Sequence, residues 1–474
     1  MAGMTEDTAA LPSTFDALPL SPALRQGLDA LGYETPTPVQ ARSLPAILEG
    51  RDVRAQAPTG SGKTAAFGLG LLHGLDVARG DTQALVLCPT RELADQVARN
   101  LRKLATGMPN LKVSLLVGGV ALGPQLASLE QHAPHVVVGT PGRVLELVEK
   151  RVLPLDAVRT LVLDEADRML DMGFEDAIRA LVKRTPKTRQ TLLFSATFPD
   201  AVRGVANAML REPVEVEVEA DAEAPRVDEI FVETDASRRA PLLAALLLEY
   251  RPESCVVFCN MRREVDDVAS SLQHYGFAAL ALHGDMEQRD REEVLVQFAN
   301  RSCTVLVASD VAARGLDVED LAAVVNHALP SDTDTYVHRI GRTARAGKGG
   351  LAISLVAANE RGRLEHLQAR RAEHGDTRAL QWRQVDPVGG RPSGVPAAKM
   401  ATLRIDAGRT DKLRPGDIVG ALVNEAGLAG DAIGKIDVFP TRSYVAVPRK
   451  QIDRVLEKLR AGKIKGRRFR VAKL

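Results

Sequence analysis

At 474 residues the chain is too long for one hydrophobic core, and at about 100–200 residues per domain it should form about three. A hydrophobic fraction of 45% and a charged fraction of 26% are those of a globular protein and exclude a wholly disordered or fibrous chain. No apolar run reaches the roughly 18 residues of a spanning helix, and the first ten residues lack a basic-then-apolar export signal, so a cytoplasmic protein is expected, with no membrane partner. The four cysteines, Cys88, Cys255, Cys259 and Cys303, form no CxxC pair and read as small buried residues, which argues against a zinc site or disulfide framework. The formal net charge of +1 is unevenly spread: residues 401–474 hold 17 Lys and Arg against 8 Asp and Glu, or +9, leaving −8 for the rest. A basic terminal domain is a common footprint of nucleic-acid binding.

Over residues 1–213, short apolar runs (Ala84–Cys88, Val113–Val117, Val136–Gly139, Leu161–Leu163, Leu192–Phe194) alternate with amphipathic stretches, the pattern of a parallel sheet covered by helices. Residues 214–226 are expected to be a linker, entered by a half-buried strand in which valines alternate with glutamates. The pattern restarts over 227–365, with strands expected at Val256–Cys259, Ala278–Leu282, Val305–Ala308 and Val324–Val325. Residues 366–398 read as a charged helical extension and then a Pro/Gly/Ser-rich linker at Pro387–Ala397. Over 399–474, strand-like runs (Ala401–Ile405, Ile433–Phe439, Tyr444–Val447, Arg468–Ala472) enclose helices at Pro415–Glu425 and Arg449–Ala461. That β-α-β-β-α-β order is the order of a small α+β domain like the RNA-recognition motif, RRM.

Chemistry enters at Ala57-Pro58-Thr59-Gly60-Ser61-Gly62-Lys63-Thr64, which follows a short strand and opens a helix. Gly60 and Gly62 let backbone amides close around phosphate oxygens, Lys63 reaches the β- and γ-phosphates, and the Thr64 hydroxyl is suited to Mg²⁺. The strict loop pattern has glycine where this chain has Ala57. Downstream, the apolar strand Leu161–Leu163 delivers Asp164-Glu165-Ala166-Asp167 at its carboxyl end, where ligands of open α/β sheets bind. One carboxylate there can hold the metal, assigned to Asp164, and a neighbour can orient the attacking water, assigned to Glu165.

With these two motifs in order, the sequence resembles the DEAD-box RNA helicases over nearly its whole length. The resemblance implies two tandem RecA-like parallel-sheet lobes followed by an RRM-like domain, and an ATP hydrolase that unwinds RNA locally. Phe15 and Gly32–Gln40 resemble the family's adenine-reading motif, in which Tyr33 would stack on the ring and Gln40 would read its edge, implying ATP. Pro58, Thr59, Gly60, Ser61, Gly62, Lys63 and Thr64 would bind its phosphates. Pro89–Ala94, Gly118–Gly119 and Thr140–Arg143 resemble RNA-backbone motifs, with Thr90, Arg91, Gly119, Thr140, Gly142 and Arg143 offering charge or hydrogen bonds to phosphates. Ser195-Ala196-Thr197 resembles the motif that couples ATP to unwinding by bonding Asp167.

No phosphate loop follows Val227, so the second lobe is expected to complete the first lobe's site. His338–Arg345 places Arg339, Arg342 and Arg345 at three-residue intervals, which on one helical turn would aim them at a common target. The resemblance implies that Arg342 and Arg345 are arginine fingers on the γ-phosphate and that His338 takes part in coupling. It also implies that Asp310 meets the ribose and that Arg314 touches RNA or the partner lobe. Val256–Asn260, His283-Gly284 and Gln288–Arg291 resemble the remaining RNA-side motifs.

Ile405–Leu422 and Ile433–Phe439 closely resemble the C-terminal domain of the DbpA family of bacterial helicases, which implies a hairpin of 23S ribosomal RNA and pre-50S particles as partners. Lys463, Lys465, Arg467, Arg468 and Arg470 form a basic cluster suited to phosphates. Phe439 and Tyr444 either face bases or belong to the core, and the stacking consensus of common RRMs is absent. An ATP-gated RNA clamp or chaperone without unwinding fits the same motifs; no obligate protein partner is evident.

Overall fold

The structure, a computed structural model, describes residues 11–58, 60–218, 227–235, 237–313, 321–344, 349–373, 376 and 378–474. Contacts divide the chain into two compact units, Met1–Ala222 and Glu223–Leu474.

The first unit holds strands β1 (Val53–Gln56), β2 (Ala84–Leu87), β3 (Val113–Leu116), β4 (Val136–Gly139), β5 (Thr160–Asp164), β6 (Gln190–Ser195) and β7 (Val214–Glu217). They form one parallel sheet in the order β3-β4-β2-β5-β6-β1-β7. Every residue of β2, β4 and β5 is buried, because helices cover both faces. The pleat splits these runs by parity: Val86, Val138 and Val162 enter one core with Phe67 and Phe194, and Leu85, Val137, Leu161 and Leu163 the other. Val214–Glu217, expected at the head of the linker, is hydrogen-bonded to β1 as an edge strand with Val216 buried, so the sheet claims these residues.

The second unit repeats the plan with β8 (Val227–Thr234), β9 (Cys255–Cys259), β10 (Ala279–Leu282), β11 (Val305–Ser309), β12 (Ala323–Asn326), β13 (Gly350–Ala357) and β14 (Gln381–Arg383). Their parallel order is β10-β11-β9-β12-β13-β8-β14. The stretch expected as a helical extension and linker does begin with a helix, Arg361–Glu373, but then returns to the lobe. β14 pairs with β8, the Trp382 ring lies 5.9 Å from that of Phe231, and Val385, Val388 and Val395 pack on the lobe's core. Three valines make this segment a strap on the lobe surface, where composition alone read it as a free spacer.

Residues 400–473 form the third sheet, from β15 (Met400–Ile405), β16 (Ile436–Val438), β17 (Ser443–Pro448) and β18 (Val471–Lys473). It is antiparallel in the order β16-β17-β15-β18, with helices Pro415–Asn424 and Ile452–Ala461 packed on one face through Leu403, Ile405, Val445 and Val447. The other face rests on the second lobe. Thr402 Oγ1 accepts from Asn300 Nδ2 at 3.2 Å and lies 2.5 Å from Ser302 Oγ. Arg404 and Arg442 both donate to Glu293 Oε1, at 3.1 and 2.9 Å. Among the described residues, no helix is long and apolar enough to cross a membrane.

Candidate functional site

In a parallel sheet all carboxyl ends lie along one edge, and the order of the first sheet sorts its motifs along that edge. Thr90 and Arg91 follow β2, Gly118-Gly119 follows β3, and Thr140–Arg143 follows β4: three adjacent strands on one half of the sheet. The phosphate loop follows β1, Asp164 ends β5, and Ser195 ends β6, adjacent strands on the other half. Topology therefore separates the motifs expected to face RNA from those expected to face the nucleotide.

On the nucleotide side, Ala57 N donates to Ser195 O, tying the loop's start to β6. Gly60 and Gly62 adopt positive φ of 83° and 96°. A Cβ on Gly62 would also lie 2.5 Å from Gln40 Nε2, so only glycine fits beneath this cover. Gln40 and Thr37 form that cover: Gln40 Nε2 donates to Gly62 O at 3.0 Å, and Thr37 Oγ1 to Ser61 O at 2.7 Å. Gln40 Oε1 meanwhile accepts from Thr37 N, closing a capping box at the start of its own helix, so the amide expected to read adenine also ties that helix to the loop. Thr37 was not singled out in the sequence, although Thr37-x-x-Gln40 is a capping-box spacing. Tyr33 is exposed, available for stacking; Phe15 is buried in the lobe's core. Thr59 lies outside the described residues. Lys63, buried at the start of the helix Lys63–His73, donates to Ala57 O at 2.8 Å across its own loop. Ser61 Oγ is buried without a partner among the described residues.

Asp164 is buried, and desolvation pushes its carboxyl up to about 7 despite nearby Lys63; Glu165 adds to the rise. A buried carboxylate so short of compensation, with the Thr64 hydroxyl at the loop's end, is an oxygen donor set that fits a hard divalent cation. Glu165 sits at φ 54° and accepts from Arg168 Nη1 at 2.9 Å, an ion pair the sequence reading missed. Asp167 and the Ser195–Thr197 segment come together as expected: Asp167 N donates to Ser195 Oγ at 3.2 Å, and Asp167 Oδ2 accepts from Thr197 N and Oγ1 at 3.0 and 2.9 Å.

On the RNA side, Thr90 caps the helix Arg91–Leu104, and Thr140 Oγ1 accepts from Gly118 N at 3.3 Å. Gly119 has φ 69°, and a Cβ there would lie 2.1 Å from the Arg91 guanidinium, so glycine admits the arginine. Gly142 lies in the first turn of the helix Pro141–Glu149. Arg143 bonds Glu146 and Val120 O, while its buried Nη1 finds no partner among the described residues.

The second lobe corrects one expectation and adds a partner to another. The helix Thr333–Ile340 ends at Gly341, so Arg339 and Arg342 do not share a helical turn; Arg342 is buried in the following turn, beside a bridge between Leu321 and Thr343. His338 and Arg339 stand in that helix, whereas Arg314 and Arg345 lie outside the described residues. Asp310, expected at the ribose, is gripped through both oxygens by Arg339 Nε and Nη2 at 2.7 and 2.8 Å. The physical reason is that Arg339 is 2% exposed and needs a counter-charge. Its remaining donors meet Asn260 Oδ1 at 2.8 Å, Asn326 Oδ1 at 3.0 Å and Ala328 O at 3.1 Å, and the guanidinium sits over Phe258. Arg339 thus pins the ends of β9, β11 and β12 together.

In the C-terminal domain, Tyr444 is 2% exposed, edge-on to Phe439, and donates to Glu293 Oε1 at 3.3 Å. Its face is covered by the second lobe and does not await a base. Lys465 donates to Lys412 O and pairs with Asp417, and Arg470 approaches Asp406 at 4.0 Å. Lys463, Arg467 and Arg468 lie in the same turn-rich segment before β18.

Two repeated parallel sheets, one with a covered phosphate loop and a carboxylate pair at its carboxyl edge, define a two-lobed nucleoside-triphosphate motor. The chain belongs to the DEAD-box ATP-dependent RNA helicases: residues 37–205 match the DEAD/DEAH box helicase family, 238–347 the helicase conserved C-terminal domain, and 402–473 the DbpA RNA binding domain. It is 51% identical to the ATP-dependent RNA helicase DbpA of Escherichia coli over 97% of this chain and 98% of that protein. It is also 43% identical to the helicase CshA of Bacillus cereus over 75% of this chain and 68% of that protein. Among solved structures, S. cerevisiae Dbp5 bound to RNA and ADP BeF3 aligns with TM-score 0.71 and 30% identity, covering 79% of this chain and 96% of that one.

Proposed function

We propose that the enzyme separates short RNA duplexes locally, in the cytoplasm, and that its C-terminal domain directs it to a hairpin of 23S ribosomal RNA and to pre-50S particles during large-subunit assembly. The observation that carries this reading is the match of residues 402–473 to the DbpA RNA binding domain, joined to 51% identity along nearly the whole chain. The +9 charge of residues 401–474 supports it.

Within this reading, residues 1–213 and 227–365 are the two motor lobes and 399–474 the RNA-selecting domain, with the strand Val214–Glu217 counted in the first lobe. Tyr33 stacks on adenine, and Lys63 leaves Ala57 O for the β- and γ-phosphates. Asp164 and Thr64 would hold Mg²⁺, which supplies charge neutralisation of the phosphates. Glu165 swings off Arg168 to orient the water that attacks the γ-phosphorus; the bond to the β-phosphate oxygen breaks, giving ADP and phosphate. Arg342 and Arg345 of the second lobe stabilise the charge that develops, so hydrolysis waits on their arrival. Asp167, Ser195, Thr197 and His338 couple that state to the RNA side, where Thr90, Arg91, Gly119, Thr140, Gly142, Arg143 and Arg314 hold one strand by its backbone. Arg143 Nη1, buried without a partner, favours an incoming phosphate there.

The test measures RNA-stimulated ATPase with a 23S fragment carrying the hairpin and with unrelated RNA of equal length, alongside release of a short duplex. Stimulation at least tenfold stronger by the 23S fragment is expected. Equal stimulation by both RNAs would sink the specificity, and ATPase without duplex release would sink the unwinding.

A further inference from the structure

β9 and β12 are parallel neighbours, with Asn326 in register with Phe258. The next residues, His327 and Cys259, therefore lie side by side, and His327 N donates to Phe258 O at 2.9 Å. The helix Arg262–His274 begins just beyond β9 and brings Glu264, in its first turn, to the same place. The Cys259 Sγ, a Glu264 carboxylate oxygen and a His327 ring nitrogen all lie within 4.8 Å of one another.

A second observation is independent of this clustering. The His327 side chain is buried, the residue only 8% exposed, yet neither Nδ1 nor Nε2 has a hydrogen-bond partner among the described residues. A buried imidazole with two unused nitrogens is costly unless something is bound to it. Desolvation and the Arg239 charge hold its pKa down at about 4, so the ring is neutral at pH 7 and has no proton to lose to a ligand. Arg339 and Arg239 are the cations facing this cluster, and their charges are engaged by Asp310 and Glu360.

We propose that Cys259, His327 and Glu264 form a binding site for a borderline-soft divalent cation of the Zn²⁺ type, with a fourth position open to water. Sulfur, nitrogen and oxygen donors in one set suit that ion and not Mg²⁺. Donors around a tetrahedral Zn²⁺ with bonds of about 2.0–2.3 Å lie about 3.5 Å apart, a gap that rotation of Glu264, the half-buried member, closes. The Cys259 thiol, which burial pushes up to about 12, gives up its proton to solvent as the metal bond forms. The site belongs to the second lobe, where it adjoins Asn260, through which Arg339 holds the ends of β9 and β11. An ion there would stiffen the lobe that carries Arg342. Because His327 lies 68 positions after Cys259, no CxxC-type spacing signals the site.

The test titrates the metal-free full-length protein with Co²⁺ and follows the near-ultraviolet thiolate-to-cobalt absorption. One equivalent should bind with that band, and Zn²⁺ should displace it. Cys259→Ser should abolish the band, Cys303→Ser should keep it, and Glu264→Gln should keep it while weakening affinity about tenfold. Absence of the band in the native protein, its survival in Cys259→Ser, or unchanged affinity in Glu264→Gln would overturn the proposal. Should Cys259→Ser misfold by circular dichroism, the partly exposed Glu264→Gln decides alone.

Discussion

Asp164 is a carboxylate set where ionisation is expensive. Its folded pKa of about 7 stands above the ordinary value of 3.8, so between those values the folded chain holds a proton that the unfolded chain releases. Stability therefore falls as pH rises through this window and levels off above about 7. Asp164→Asn removes that slope. At pH 8, without nucleotide, the first lobe of the variant should be up to about 4 kcal/mol more stable than the native one, and at pH 5 the gain should fall to less than half of that, while ATPase is lost. Hydrogen exchange of the amides of Thr160–Asp164 reads this lobe separately. A gain equal at both pH values would assign the effect to something other than titration. Ala344 is a second strained residue: it holds φ 57°, where a side chain costs about 1 kcal/mol. Ala344→Gly should stabilise the second lobe by roughly 0.5–1 kcal/mol, read from the urea midpoint of Trp382 fluorescence, the chain's one tryptophan.

At the scale of elements, the parallel strands were legible because burial on both faces writes them as continuous apolar runs, and β2, β4 and β5 lie where those runs stand. The carboxyl-edge motifs were legible for the same reason, since each follows such a run. What spacing could not show is which polar group a motif residue actually meets. Three arginines at equal intervals suggested one target, but Gly341 ends the helix and Arg339 turns inward to Asp310, Asn260 and Asn326. For Gln40, likewise, the spacing pointed to a base and did not show the bond from its Nε2 to Gly62 O. The edge strand β14 was hidden by its three-residue length and exposed pattern. Because Arg339 joins three strand ends, its loss should be felt by the whole lobe. Arg339→Lys keeps the charge but not the fork that grips both Asp310 oxygens, and should cost about 3–5 kcal/mol in the Trp382 urea transition. A loss under 1 kcal/mol would show that the hub is dispensable.

For the molecule as a whole, the consequential arrangement is the seating of the C-terminal sheet on the second lobe. The face that carries Thr402, Arg404 and Tyr444 meets the helix Gln288–Ala299 and the residues just after it; beside the Thr402 bonds to Asn300 and Ser302, the charged anchor is Glu293, half-buried and shared by Arg404, Arg442 and Tyr444. Asp406, 3.0 Å from Arg404 and 4.0 Å from Arg442, balances the second guanidinium, so removing Glu293 leaves net positive charge at the seam and takes an acceptor from the Tyr444 hydroxyl. Lys399 with Glu253, and Arg449 with Ser302 O, add only exposed contacts. Glu293→Ala should therefore release the domain while leaving both folds intact. Limited proteolysis should then cut within 386–398 several-fold faster, and the Tyr444 face should become accessible. If the seated domain aims the selected RNA at the motor, stimulation of ATPase by the 23S fragment should drop about tenfold toward the level given by unrelated RNA, with unstimulated hydrolysis unchanged. Faster cleavage with stimulation unaltered would instead mean that the domain acts as a tethered hook, raising the local RNA concentration without orienting it.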